Sequence, residues 1–144
     1  MPVIYIDTSL FMRALLVGSA DHLLASALIR TPQTWLASSE LLWLEADRAA
    51  VRLADENPAM FAGLAAEAAA ALRNIDMIPL DRAVIDAARA IPQVVKSLDA
   101  IHIASAETLG HELGCLATYD KTMTQVATRR GLLAVTATGA LSLA

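Results

Sequence analysis

Short runs of β-forming residues alternate along this chain with longer stretches of helical periodicity, and that alternation narrows the fold more than any other feature. A strand that hands over to a helix and returns as another strand builds a parallel sheet with crossover helices. Residues 3–6 (Val-Ile-Tyr-Ile) read as the first strand, with helices over 8–16 and 20–30 behind it. Thr31-Pro32 breaks the chain before a short strand at 34–37, and Ser38 or Ser39 supplies the N-cap of a long helix reaching about residue 55. Asn57-Pro58 opens a helix over 59–73, with proline in or near its first turn. Residues 76–80 read as a strand, 81–90 as a helix capped by Asp81, and Ile91-Pro92 as a connecting loop. Ser97 caps a helix over 98–109, and Gly110 and Gly114 bracket its end. A strand at 115–119, a helix at 121–130 ended by Gly131, and a last strand at 133–136 complete an α/β pattern. With no repeat, linker or composition break, one domain over 1–144 accounts for the whole length.

Four acidic residues fall at or beside the junctions of that pattern. Asp7 closes the first strand and opens Thr8-Ser9-Leu10-Phe11, and Asp120 closes Cys115-Leu116-Ala117-Thr118-Tyr119. Glu45 lies within the long third helix, and Asp99 stands in the first turn of an apolar one. Ligands of open α/β sheets collect outside the carboxyl ends of the strands, so acids placed there can surround one point although far apart in sequence.

Each acid has a plainer explanation. Asp is a favoured N-cap, which suits Asp7 and Asp120, and the helix macrodipole favours an anion at Asp99. Glu45 borders the apolar stripe of its helix and could pair with Arg48 at i+3. Glu40 and Asp47 fit solvated or capping charges. Four converging carboxylates would repel one another and resist ionising together, a conflict that one or two Mg²⁺ or Mn²⁺ ions resolve. Such ions could hold a phosphodiester and activate water for in-line attack.

Other chemistries find little footing. There is no Gly-rich phosphate loop and no zinc spacing of His and Cys. His22, His102 and His111 are scattered, although His102 shares a helical face with Asp99 and could support it. Ser9 has no base motif beside it. Cys115 is the single cysteine, cannot form an internal disulfide, and fits core packing. No stretch is long and apolar enough to span a bilayer, and the N-terminus lacks a basic leader, so the cytoplasm is expected.

Taken in order, Ile4-Tyr5-Ile6-Asp7-Thr8-Ser9, Glu45, the segment from Ser97-Leu98-Asp99-Ala100 to Ser105-Ala106, and Leu116-Ala117-Thr118-Tyr119-Asp120-Lys121 resemble the PIN-domain ribonucleases. Within them the chain is similar to the VapC toxins of bacterial toxin–antitoxin pairs, over nearly its whole length. The resemblance implies a three-layer α/β/α PIN domain with a central, mostly parallel sheet. It implies a Mg²⁺- or Mn²⁺-dependent endoribonuclease whose metal-binding and catalytic acids match Asp7, Glu45, Asp99 and Asp120. Thr8, Ser9 and Thr118 fall where supporting hydroxyls stand. It also implies an RNA substrate, a cognate VapB-like antitoxin, a symmetric homodimer and no membrane association.

Two rival readings remain: a PIN module that binds RNA or protein without cutting, and a haloacid-dehalogenase-like phosphatase. The second needs an aspartate where Ser9 stands.

Composition bears on the partners. Net charge is −4, so no global basic field advertises a polyanion, and a local patch must do so. Lys96, Lys121, Arg129 and Arg130 are the candidates. Apolar residues reach 56%, explained either by alanines such as those in 65–71 or by an apolar surface that a partner covers. Leu10, Phe11, Leu15, Leu41, Leu42 and Trp43 are candidates for the walls of such a groove, with core packing as the competing explanation.

Overall fold

The first strand, β1 (Val3–Ile6), has both faces buried, and its side chains divide between two cores. Ile4 and Ile6 belong to one cluster, while Tyr5 points into the other, as the period-2 alternation of a strand requires. The computed structural model describes residues 2–136; the outermost positions of the expected 1–144 domain lie outside them.

Five strands, β1, β2 (Trp35–Ser39), β3 (Asp76–Ile78), β4 (Leu113–Ala117) and β5 (Ala134–Val135), form one sheet in the order β3-β2-β1-β4-β5. Every pairing is parallel, so the sheet is wholly rather than mostly parallel among the described residues. Helices α1 (Thr8–Leu15), α2 (His22–Ile29), α3 (Leu41–Glu56), α4 (Pro58–Phe61) and α5 (Leu64–Leu72) follow β1 and β2, and α1, α2, α3 and α5 pack on the Ile4/Ile6 face. Helices α6 (Arg82–Arg89), α7 (Ser97–Glu107) and α8 (Lys121–Arg129) complete the third layer, with α7 and α8 packed on the Tyr5 face. This is the expected three-layer α/β/α arrangement. No helix among the described residues is long and apolar enough to cross a membrane.

Several boundaries differ from the sequence reading. The helix expected over 59–73 is two helices, because Asn57 caps only the short α4 and the chain turns again at Ala62-Gly63. Strand β2 runs to Ser39, so neither Ser38 nor Ser39 is the N-cap; Glu40 takes that position, although the Ser39 hydroxyl accepts from the Leu41 N–H at 3.1 Å. Ser97 is the first residue of α7 instead of its cap, which is Lys96. Strand β4 starts two residues early, at Leu113, and there the ladder against β1 is irregular: Val3 pairs with Leu113 and Ile4 with Cys115. Gly114 is the extra residue, and a Cβ there would lie 2.9 Å from the Pro2 Cβ. Cys115 is buried in the core.

Chain order sets the position of the mouth. From β1 the strands advance outward to β2 and β3, and the chain then returns to lay β4 and β5 on the other side of β1. The crevice above the carboxyl ends of β1 and β4 is therefore the topological switch point, where ligands of open α/β sheets bind.

Candidate active site

Asp7 leaves β1 at that switch point, 3% exposed, with extended backbone that ends the strand and begins α1. Its carboxylate caps α1 by accepting from the Leu10 N–H at 3.0 Å, so the plain capping role is real. It does more than cap. The Ser9 hydroxyl donates to both oxygens at 2.8 and 2.9 Å, and the Thr118 hydroxyl from the end of β4 donates to Oδ2. Thr118 and Ser9 are in turn fixed by the backbone N–H groups of Asp120 and Tyr119. Burial still dominates and pushes the Asp7 carboxyl above its ordinary range, against the hydrogen bonds from Thr118, Leu10 and Ser9.

Asp120 caps α8 through Oδ1, which accepts from the Met123 N–H at 2.8 Å. Asp99 is half-buried in the first turn of α7. Its carboxyl is also pushed up, first by burial and then by the charges of Asp120 and Asp7, with Lys96 and His102 opposing. Asp99 thus feels two carboxylates from two other elements across the crevice.

Glu45 is held differently. The Thr8 hydroxyl donates to Oε1 at 2.6 Å, and His102 Nε2 lies 2.8 Å from the same oxygen. On its other side the ring meets the Tyr5 hydroxyl at 2.7 Å through Nδ1. Burial keeps the Tyr5 phenol protonated, so its O–H donates to Nδ1 and Nε2–H is left to donate to Glu45. Burial alone would push Glu45 up, but the bonds from His102 and Thr8 outweigh it and its carboxyl sits below the ordinary range. The i+3 ion pair with Arg48 is not formed; Glu45 turns to Thr8 and His102 instead. Glu40 is occupied elsewhere, accepting from the Leu80 N–H at 3.1 Å.

All four acids expected from sequence, together with Thr8, Ser9 and Thr118, therefore stand around the mouth. Tyr5 and His102 were the contributors that sequence reasoning missed or undervalued. His102 had a signal, its i+3 spacing from Asp99; Tyr5 had none, because its role depends on a ring brought from 97 residues away. As they stand, no three acidic, histidine or cysteine side chains among the described residues form a group able to hold a metal ion. The chemistry of the donor set nevertheless fits a hard divalent cation. The donors are carboxylate and hydroxyl oxygens, and Asp99 carries like-charge strain that a cation would relieve.

Two surface expectations are corrected. Leu10, Phe11, Leu41 and Leu42 are core residues, so they cannot wall a partner groove; only Leu15, partly buried, and Trp43, 49% exposed, remain accessible. Arg130 is committed to Glu107 at 2.9 Å, and Arg129 sits with it at the end of α8 away from Asp120, so neither joins the mouth.

A switch-point crevice lined by acids from β1, α3, α7 and β4 defines the class. A PIN-domain family model matches residues 4–129, and the chain belongs to that family. "Ribonuclease VapC46" of Mycobacterium tuberculosis is 39% identical over 66 residues, 45% of this chain and 51% of that protein, so the match spans about half the length of the relative. Two solved structures share the fold with a TM-score of 0.67 each. One is VapC20 of Mycobacterium tuberculosis, described as a sarcin-ricin loop cleaving toxin, at 18% identity over 90% of this chain and 96% of that one. The other is VapBC2 of Rickettsia felis bound to a promoter DNA fragment, at 8% identity over 93% and 98%.

Proposed function

We propose that this chain is a divalent-metal-dependent endoribonuclease, the toxin of a VapBC-type pair, acting in the cytoplasm as a single-domain homodimer restrained by a VapB-like antitoxin. The observation that carries the reading is the convergence of Asp7 and Asp120 on Asp99, whose carboxyl their charges push up, beside a Glu45 held below the ordinary carboxylate range by His102 and Thr8. The curated ribonuclease relative supports the activity, and the toxin–antitoxin neighbours support the partner.

Asp7, Asp99 and Asp120 would hold the Mg²⁺ or Mn²⁺, with Glu45 orienting the ion or a water beside it. When bound, the cation supplies charge stabilisation at the scissile phosphate and a more acidic water. The chain supplies the rest. Ser9 and Thr118 hold the Asp7 carboxylate against rotation, so its oxygens need no reorganisation when charge develops nearby. Glu45, held below the ordinary carboxylate range, remains an acceptor throughout and can position a water for attack.

The test is cleavage of end-labelled RNA by the purified chain with Mg²⁺, with EDTA, and with a VapB-like antitoxin encoded beside it added. Fragments with new internal ends, lost in EDTA and suppressed by the antitoxin, are expected. Intact RNA under all metal conditions would replace this reading with a PIN module that binds without cutting.

A further inference from the structure

Beside the acids runs a groove of about 600 Å³ that the chemistry above leaves unused. Thr8, Ser9 and Glu45 form its near end, so it opens directly onto the site. From there α3 carries Arg48 and Arg52 along the same lining, and Arg13 lines it from α1. Positions 45, 48 and 52 repeat at i, i+3 and i+7, which places them on one stripe of the helix.

The three arginines are not equivalent. Arg13 is committed: it pairs with Asp21 at 3.1 Å, donates to the Ser9 carbonyl at 3.1 Å and lies 4.5 Å over the Tyr119 ring. Arg48 and Arg52 are exposed, and neither has an ion-pair partner among the described residues. In a chain of net charge −4, two neighbouring uncommitted guanidinium groups form a local reversal of sign. One helical turn separates them, about 6 Å along the axis. That step suits successive phosphates of an extended strand, each of which a guanidinium can grip through two N–H groups.

We propose that this groove is the track by which a single RNA strand runs to the acids, with Arg48 and Arg52 neutralising two successive phosphates on one side of the scissile one. The inference rests on the endoribonuclease reading. It assigns binding to α3 instead of the helix ends at Lys121 and Arg129. Because the contacts are to backbone, they are blind to sequence.

The test measures binding of a short fluorescent single-stranded RNA in EDTA across a salt series, and cleavage in Mg²⁺, for the full chain. Arg48→Gln/Arg52→Gln keeps good helix formers at exposed positions, so the fold survives. It should weaken binding roughly tenfold and reduce the salt slope by about 1.4, two phosphates' worth for a single strand. KM should rise while kcat changes little, and Arg48→Lys/Arg52→Lys should restore most of the affinity. The charge-matched control Arg82→Gln/Arg89→Gln on α6 should behave as wild type.

If wild type binds and cleaves RNA but the α3 variant matches it in affinity and slope, the track is overturned. If the arginines matter for binding poly-glutamate but not RNA, the groove takes an acidic protein segment and the proposal is wrong. If wild type neither binds nor cleaves RNA, the functional reading itself falls, and this inference with it.

Discussion

Asp7 and Glu45 face the same crevice, both withdrawn from water, yet their carboxyls are displaced in opposite directions. Asp7 collects hydroxyl donors and one backbone N–H but is almost fully buried, so desolvation wins and its carboxyl is pushed above the ordinary range. Glu45 is less deeply set and receives an imidazole N–H together with the Thr8 hydroxyl, so the charged form wins. The number of hydrogen bonds does not decide ionisation; the balance of donors against lost water does. The fold therefore strains one acid that would take up a cation and settles the other before any ligand arrives.

Asp7→Asn should break this comparison most sharply. Cleavage should fall about 10³-fold, the loss of several kcal/mol of charge stabilisation. The same change should raise stability at neutral pH by about 1 kcal/mol, or about 2–4 °C in Tm. Because the folded carboxyl is raised, its contribution is fully present below the unfolded value and lost as pH rises through the folded one. The variant's thermal advantage should thus be absent near pH 3.5, on the order of the ordinary carboxylate value. It should open toward neutrality and shrink when Mg²⁺ is added. Scanning calorimetry across pH reads this directly, and an Asp7→Asn protein less stable than wild type at pH 7 would contradict the strain.

Glu45→Gln should show the opposite sign of stability change. Activity should drop about 10²-fold. Stability should fall by about 1 kcal/mol at neutral pH, since a charge-assisted bond is weakened. A depressed carboxyl contributes above its unfolded value and loses that contribution as pH falls through the folded one, so the deficit should vanish in acid. Parallel thermal melts of the two variants over one pH series test the pair together.

His102→Leu removes the donor that separates the two acids. It leaves the Tyr5 hydroxyl and Glu45 without a shared partner, so a loss of about 2 kcal/mol is expected with an activity loss of about tenfold. Denaturant melts alongside initial rates would show whether positioning or folding dominates. Glu40→Gln should do least, within about twofold in rate, because glutamine still accepts from the Leu80 N–H.

Sequence made the acids legible because strand ends and helix starts are local signals, and Asp7 and Asp120 announce both. The parallel sheet and the Asp81 and Asp120 caps followed from the same local chemistry. Partners across the sheet were not legible. Arg48 stands one turn from Glu45 and looks like its natural mate, but tertiary packing delivers His102 from α7 at 2.8 Å. The apolar groove candidates failed for a related reason: hydrophobic periodicity marks which face of a helix is buried, not whether the burying surface is its own core or another molecule. Boundaries slipped where a serine could serve either a strand or a cap, as at Ser39, or either a cap or the first helical turn, as at Ser97.

The extra residue in β4 gives the two ends of that strand different evolutionary freedom. Gly114 is accommodated at the end farthest from the acids, and from Ile4↔Cys115 onward the ladder runs regularly to Ile6↔Ala117. Thr118 follows immediately and donates to Asp7. A lineage could gain or lose a residue at the bulge and leave this handshake untouched. The same event after Cys115 would turn Thr118 to the other face of the sheet and leave Asp7 one hydroxyl short. Length variation among descendants of this chain should therefore collect before Cys115 and stop there.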